Sequence, residues 1–211
     1  MTQLYLVRHG ETDWNLARRI QGSTDIPLNA TGRAQAARTG ELLSRREWTA
    51  IASSPLSRAL ETAQIIGSEI GIDDVEIIDD LAERQYGEAE GLEAQELDRR
   101  FPVGTTVPGR ESREAVAGRV IPALLALAER NPGADLIVTT HGGVIRTVLN
   151  EVSPHSPAHR GVPITNGSVH SFRVVDGELE LVAFDDPIEE ASVADDCGDI
   201  VDQNAVEGAG L

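Results

Sequence analysis

The sequence predicts an α/β protein, a three-layer α/β/α sandwich with a mainly parallel central sheet. Two observations predict it. Short apolar runs that suit buried strands alternate with longer segments of helical spacing, as in strands joined by crossover helices. Several of those strand runs also end in polar or glycine-rich clusters, as they do where such a sheet presents its carboxyl ends. At 211 residues, 40% hydrophobic and 25% charged, the chain can bury a sizeable core.

The elements follow in order. Gln3–Val7 is an apolar run that stops at Arg8-His9-Gly10, a buried strand and then a loop. Thr31–Arg46 has apolar or small residues at helical spacing, with Asn29 or Thr31 as N-cap. Ala50–Ser53 is a second strand. Ser54-Pro55 then opens a helix, serine at the N-cap and proline at the first position, which runs to Ile70 and stops at Gly71. Val75–Ile78 is a third strand. Gly87–Pro108 is polar and irregular, with a short helix near Glu93–Arg100. Arg113–Arg130 is strongly amphipathic and ends at Asn131-Pro132-Gly133. Asp135–Thr140 is a fourth strand, followed by His141-Gly142-Gly143 and a helix from Val144. Val169–Val175 and Leu179–Phe184 flank Asp176-Gly177, the best hairpin signal in the chain. Residues 1–184 are expected to form the domain. From Asp185 to Leu211 there are nine acids and no base, and an acidic, flexible tail is expected there.

Charge excludes whole classes of function. The 35 acids against 18 bases give a net charge of −17, and 26 acids against 18 bases remain once the tail is set aside. Neither nucleic acid nor an anionic membrane surface is a fitting partner. All 18 bases are arginines. Without lysine there is no Schiff base and no Walker-type phosphate loop. The single cysteine, Cys197, builds neither a disulfide framework nor a multi-cysteine metal site. The longest apolar stretch, Val120–Ala128, is too short to cross a bilayer. The expectation is a soluble protein of the cytoplasm.

Three polar clusters fall at predicted strand ends. Arg8-His9-Gly10-Glu11-Thr12 pairs a histidine with an arginine, with Gly10 free to let the backbone approach a ligand. Arg58 lies in the first turn of its helix, where a cation opposes the helix dipole unless an anion is bound there. Thr140-His141-Gly142-Gly143 repeats the histidine–glycine pattern. Glu83 lies in a polar segment with one aromatic residue. Each feature alone also suits a surface arginine, a capping histidine or a solvated acid.

Together they resemble the histidine phosphatase superfamily, the phosphoglycerate mutase-like family. The matching segments are Arg8-His9-Gly10-Glu11-Thr12 with Trp14-Asn15, Ser53-Ser54-Pro55-Leu56-Ser57-Arg58-Ala59 with Glu61-Thr62-Ala63, Leu81-Ala82-Glu83-Arg84-Gln85-Tyr86-Gly87 with Glu90-Gly91, and Thr140 to Arg146, in the family's order. The resemblance implies a phosphoglycerate mutase-like fold and phosphoryl transfer through a phosphohistidine on His9. Arg8, Arg58 and His141 would surround the transferring group, and Glu83 would be the proton donor and acceptor. Asn15, Gln21, Gly22 and Gly142 are counted with the phosphate-binding set, and Arg84 and Tyr86 with a substrate carboxylate. The cationic clamp implies no metal and no cofactor. The substrate would be a small phosphate ester: a sugar phosphate, a phosphoglycerate derivative, phosphoserine or a nucleotide-loop phosphate.

Mutases of the family carry a lysine and an adjacent arginine pair after the Glu83 motif. This chain has no lysine, and Arg99-Arg100 lies earlier, on a helix. A phosphatase is therefore favoured over a phosphoglycerate mutase, and both over a non-catalytic phospholigand-binding module. The i,i+4 pair His155 and His159 has zinc spacing, but Pro154 and Pro157 oppose a helix there and no third ligand is evident. Cys197 among carboxylates is a poor nucleophile. The oligomeric state is left open, a homodimer included.

Overall fold

A buried strand must cover both faces, and the apolar runs do so here. The computed structural model describes residues 1–188 except 155, 157 and 158. Its strands are β1 (Gln3–Arg8), β2 (Ala50–Ser53), β3 (Val75–Ile77), β4 (Asp135–Thr140), β5 (Val169–Val175) and β6 (Glu178–Ala183). They form one six-stranded sheet in the order β3-β2-β4-β1-β5-β6. The first four are mutually parallel where they pair, and β5 and β6 add antiparallel on one side.

Alternate residues of β1 and β4 serve opposite faces. Leu4, Leu6, Leu136 and Val138 pack with Val116, Val120 and Leu124 of α5 (Arg113–Arg130) and Val144 and Val148 of α6 (Gly142–Val152). Tyr5, Val7 and Ile137 pack with Leu43 of α2 (Ala30–Leu43) and Ala63 and Ile66 of α3 (Ser57–Ile70). These two cores are the outer contacts of a three-layer sandwich. Each fully buried aliphatic side chain contributes roughly 1.5–3 kcal/mol. A smaller cluster of Ile20, Tyr86, Ala89 and Val107 lies under the irregular segment, which carries α4 (Ala94–Arg100). A single-turn helix, α1 (Asp13–Leu16), follows β1 and is closed by a capping box between Thr12 and Asn15.

Three details differ from the expectation or add to it. The helix after β2 starts at Ser57, not at Pro55, and Ser54 is not its cap. The Ser54 hydroxyl is engaged by His141, and Asp25 Oδ1 takes the Ser57 N–H instead, at 2.9 Å. Gly10 has a packing reason to be small that the sequence does not show: a Cβ there would stand 2.2 Å from the Gly32 carbonyl oxygen, because the loop after β1 lies directly on the first turn of α2. The packed chain also runs past Phe184. Asp186 N–H donates to the Val169 carbonyl at 2.7 Å, and Ile188 is buried with Tyr5 and Val169. The remainder of the expected tail, with Cys197, lies outside the described residues.

Candidate active site

Strand register builds the site. β1 pairs with β4 so that Arg8 is opposite Thr140, and β2 pairs with β4 so that Ser53 is opposite Thr139. The next residues, His9, His141 and Ser54, therefore emerge together at the carboxyl ends of three neighbouring strands. The His9 N–H donates to the Thr140 carbonyl at 3.0 Å and the Ser54 N–H to the Thr139 carbonyl at 3.0 Å. The two imidazoles are edge to face, with ring centres 5.2 Å apart.

His9 is held in one tautomer. Its Nδ1 lies 2.7 Å from the Gly10 carbonyl, which can only accept, so Nδ1 carries the proton and Nε2 keeps its lone pair. Burial holds the ring well below the usual histidine range, and the charges of Arg58 and Arg8 push the same way against the Gly10 hydrogen bond. Asn166 Nδ2 donates to the His9 carbonyl at 2.8 Å and Thr62 Oγ1 accepts the Gly10 N–H at 3.1 Å, which fixes the loop from both sides.

Arg58 has no solvent exposure. Its Nε donates to His9 Nε2 at 3.3 Å, and its Nη1 and Nη2 donate to the carbonyls of Thr24 and Gly22 at 2.9 and 2.8 Å. Those carbonyls are positioned by Glu90. Its carboxylate accepts from the backbone and hydroxyl of both Ser23 and Thr24 and from the Tyr86 N–H. Burial would raise the Glu90 pKa, but these bonds outweigh it and hold the group below the ordinary glutamate value. Gly22 has φ +57°, and a Cβ would meet a Glu90 oxygen at 2.2 Å, so no side chain fits there.

Glu83 lies at the start of α6. Its carboxylate accepts from Arg84 N–H at 2.8 Å and Gly143 N–H at 3.1 Å. Burial raises its pKa, and these two bonds with the charges of Arg58 and Arg8 only partly oppose the rise. The backbone that carries Glu83 is tied to α5: Arg119 donates to the carbonyls of Asp80, Ala82 and Glu83 and bridges to Glu111 at 2.8 Å. Arg8 donates through Nη1 to the Ile164 carbonyl and lies along Gly142, whose missing Cβ would be 3.4 Å from Arg8 Nε.

The structure thus brings Arg8, His9, Arg58, Glu83 and His141 together. Asn15 is buried with its Oδ1 on Thr12, which leaves the amide NH2 as its donating end. Gln21 is buried beside Gly22, with Oε1 lacking a partner among the described residues. Arg84 and Tyr86, expected beside a substrate carboxylate, are buried in the small cluster. Arg84 Nε donates to the Glu111 carbonyl, and both Arg84 and Arg110 stack on the Tyr86 ring. His155 lies outside the described residues, and His159 Nε2 donates to the Ser153 carbonyl at 2.9 Å. Among the described residues no three His, Cys, Asp or Glu side chains converge as a metal site. Among them, too, no helix is long and apolar enough to cross a membrane.

The sequence profile of the histidine phosphatase superfamily (branch 1) matches residues 4–187. The chain belongs to that superfamily. It is 39% identical over 181 residues to "Uncharacterized phosphatase PhoE" of Bacillus subtilis (strain 168), covering 86% of this chain and 93% of that protein. It is 34% identical to the "Metal-independent phosphoserine phosphatase" of Arabidopsis thaliana, over 88% of this chain and 82% of that protein. The solved structure of Bacillus stearothermophilus YhfR superposes with a TM-score of 0.80 at 31% identity, covering 88% of this chain and 98% of the other.

Within this histidine phosphatase, sequence reasoning passed over four supporting residues. Ser54, Thr62, Glu90 and Asn166 touch the loops or side chains around His9, Arg58 and His141. The first three stand inside the segments that match the family, which is the signal the sequence carries for them. Asn166 carries none.

Proposed function

We propose that the protein hydrolyses a small phosphate monoester in the cytoplasm through a phosphohistidine on His9, without a metal. One observation carries this reading: a neutral, buried imidazole with its Nε2 lone pair turned to a guanidinium, in a pocket with two arginines, a second histidine and a buried carboxyl group. A bound phosphate, with its charged oxygens, is a better acceptor for Arg58 than an imidazole lone pair. Its arrival frees Nε2 to attack.

The first step forms the Nε2–P bond as the ester P–O bond breaks. The departing oxygen takes the proton of Glu83, whose raised pKa favours the acid form. Water then attacks phosphorus and passes its proton to Glu83. The Nε2–P bond breaks, phosphate leaves, and both residues are restored. Arg8, Arg58 and His141 would stabilise the charge on the nonbridging oxygens throughout.

The absence of lysine supports hydrolysis over mutase chemistry. So does the placement of the Arg99-Arg100 pair. Arg100 forms an exposed ion pair with Glu88 at 2.8 Å and stacks on Phe101. The deciding experiment is phosphorus NMR with EDTA and a panel of monoesters that includes phosphoserine and 3-phosphoglycerate with bisphosphoglycerate. Free phosphate should grow from at least one ester. Isomerisation of phosphoglycerate without phosphate release would make the protein a mutase. Unchanged spectra would leave a binding module.

Two substitutions test the geometry. Arg58→Ala should lower kcat by about 10²–10³, the scale of losing one oriented oxyanion donor. Arg58→Lys should not restore it, because a point charge cannot reach His9, Gly22 and Thr24 together. Gly143→Ala puts a Cβ 2.5 Å from Glu83 Oε1, so the carboxyl group must move. Misplacement on that scale is expected to cost about 10²-fold in kcat/KM. Alanine in the first turn of α6 gains helix propensity, which offsets part of the cost of disturbing the bonds of Glu83, and melting is measured alongside to separate misplacement from unfolding. Activity retained together with stability would show that the position of Glu83 is not critical.

A further inference from the structure

We propose that Ser54 is a positioning residue: its hydroxyl fixes His141 in the tautomer that presents an N–H to the transferring phosphoryl group. This rests on the phosphohistidine reading above. Ser54 Oγ lies 2.7 Å from His141 Nε2, and both residues are fully buried. The other contact of the hydroxyl is the Leu56 N–H at 3.3 Å, which can only donate to it. Among the described residues the hydroxyl hydrogen therefore has one acceptor, His141 Nε2. That nitrogen is bare, and a neutral ring must carry its proton on Nδ1. Burial, with the charges of Arg58 and Arg8 and the neighbouring His9, keeps the ring neutral.

The consequence lies on the other side of the ring. His141 Nδ1 is buried and has no partner among the described residues, and the ring packs edge to face on His9. A buried N–H with no acceptor is a group waiting for one. A phosphoryl oxygen held for attack by His9 supplies it. In the opposite tautomer Nδ1 would carry a lone pair, and the same contact would be repulsive. Ser54 thus decides whether His141 attracts or repels the transferring group. It does so from the end of β2, which is why its hydroxyl is not spent on capping α3.

The test reads tautomer and rate separately. In ¹⁵N-histidine-labelled protein, long-range nitrogen–proton correlation spectra should show His141 with Nδ1 protonated and Nε2 bare. Ser54→Ala should move it towards the Nε2-protonated form and lower kcat/KM for p-nitrophenyl phosphate by between about tenfold and a hundredfold, less than the roughly 10²–10³ of losing an oriented donor outright. Ser54→Thr, which keeps the hydroxyl, should restore both tautomer and rate. A wild-type protein already protonated on Nε2 overturns the proposal without any variant. So does a Ser54→Ala protein that keeps both tautomer and rate. Failure of the phosphohistidine reading is seen independently, as wild-type protein that never gains the mass of a phosphoryl group on His9.

Discussion

His9→Ala is expected to abolish turnover, by a factor on the order of 10⁶, the scale seen when a covalent nucleophile is deleted. Burial and the charges of Arg58 and Arg8 hold the His9 ring neutral, and its Nε2 lone pair faces the Arg58 Nε at 3.3 Å. Removing it also leaves a space one imidazole wide beside a guanidinium still anchored on Gly22 and Thr24. Phosphate esters should therefore still bind. Free imidazole should partly restore turnover by refilling the space as a diffusible nucleophile. The pH profile of the wild-type protein bears on the same point. Because the His9 pKa lies well below the ordinary value, its neutral form persists as pH falls through 6.5, and kcat/KM should show no acid-side loss there. Steady-state kinetics with and without imidazole measure all of this. A His9→Ala protein within tenfold of wild type would remove His9 from the chemistry.

What the sequence could reveal follows from the range of the forces involved. Strand runs such as Leu4–Val7 and Leu136–Val138 are legible because burial on both faces demands unbroken apolar residues. The cap at Asn29 and the left-handed stop at Gly71 are legible because they are local. The grouping of His9 with His141 was legible only as a coincidence of strand ends. The register that makes them neighbours joins residues more than a hundred positions apart. Partners chosen across the fold were not legible. Ser54 has the local chemistry of an N-cap, yet its hydroxyl goes to the histidine just past the end of β4, and the cap duty passes to Asp25. The small size of Gly10 also serves a backbone crossing with Gly32, twenty-two positions on, which no local pattern announces. Glu90 stands within a matching segment without showing its role there, and only the folded chain shows it gathering five donors around the loop that aims Arg58.

Glu83→Gln should divide substrates by their leaving groups. An alkyl phosphate departs as a strongly basic oxygen and needs a proton as the P–O bond breaks. An aryl phosphate such as p-nitrophenyl phosphate departs as a stable anion and does not. Since kcat/KM reports the step up to phosphorylation of His9, it should fall by about 10²–10⁴ on alkyl esters, the usual worth of general acid catalysis. On the aryl ester it should change little. The second step still needs a base to take the proton of water, which glutamine cannot do. The variant should therefore release one equivalent of p-nitrophenol in a burst and accumulate the phosphoenzyme. The wild-type profile completes the argument. Burial raises the Glu83 pKa, so the acid form survives above the ordinary glutamate range, and kcat/KM on alkyl esters should fall as pH rises through that raised value. That limb should vanish in Glu83→Gln. The substitution leaves one oxygen for the two N–H donors of Arg84 and Gly143, so melting is measured alongside to separate local disorder from lost chemistry. Equal losses on alkyl and aryl esters, with no burst and no change in the pH profile, would show that the proton comes from another group.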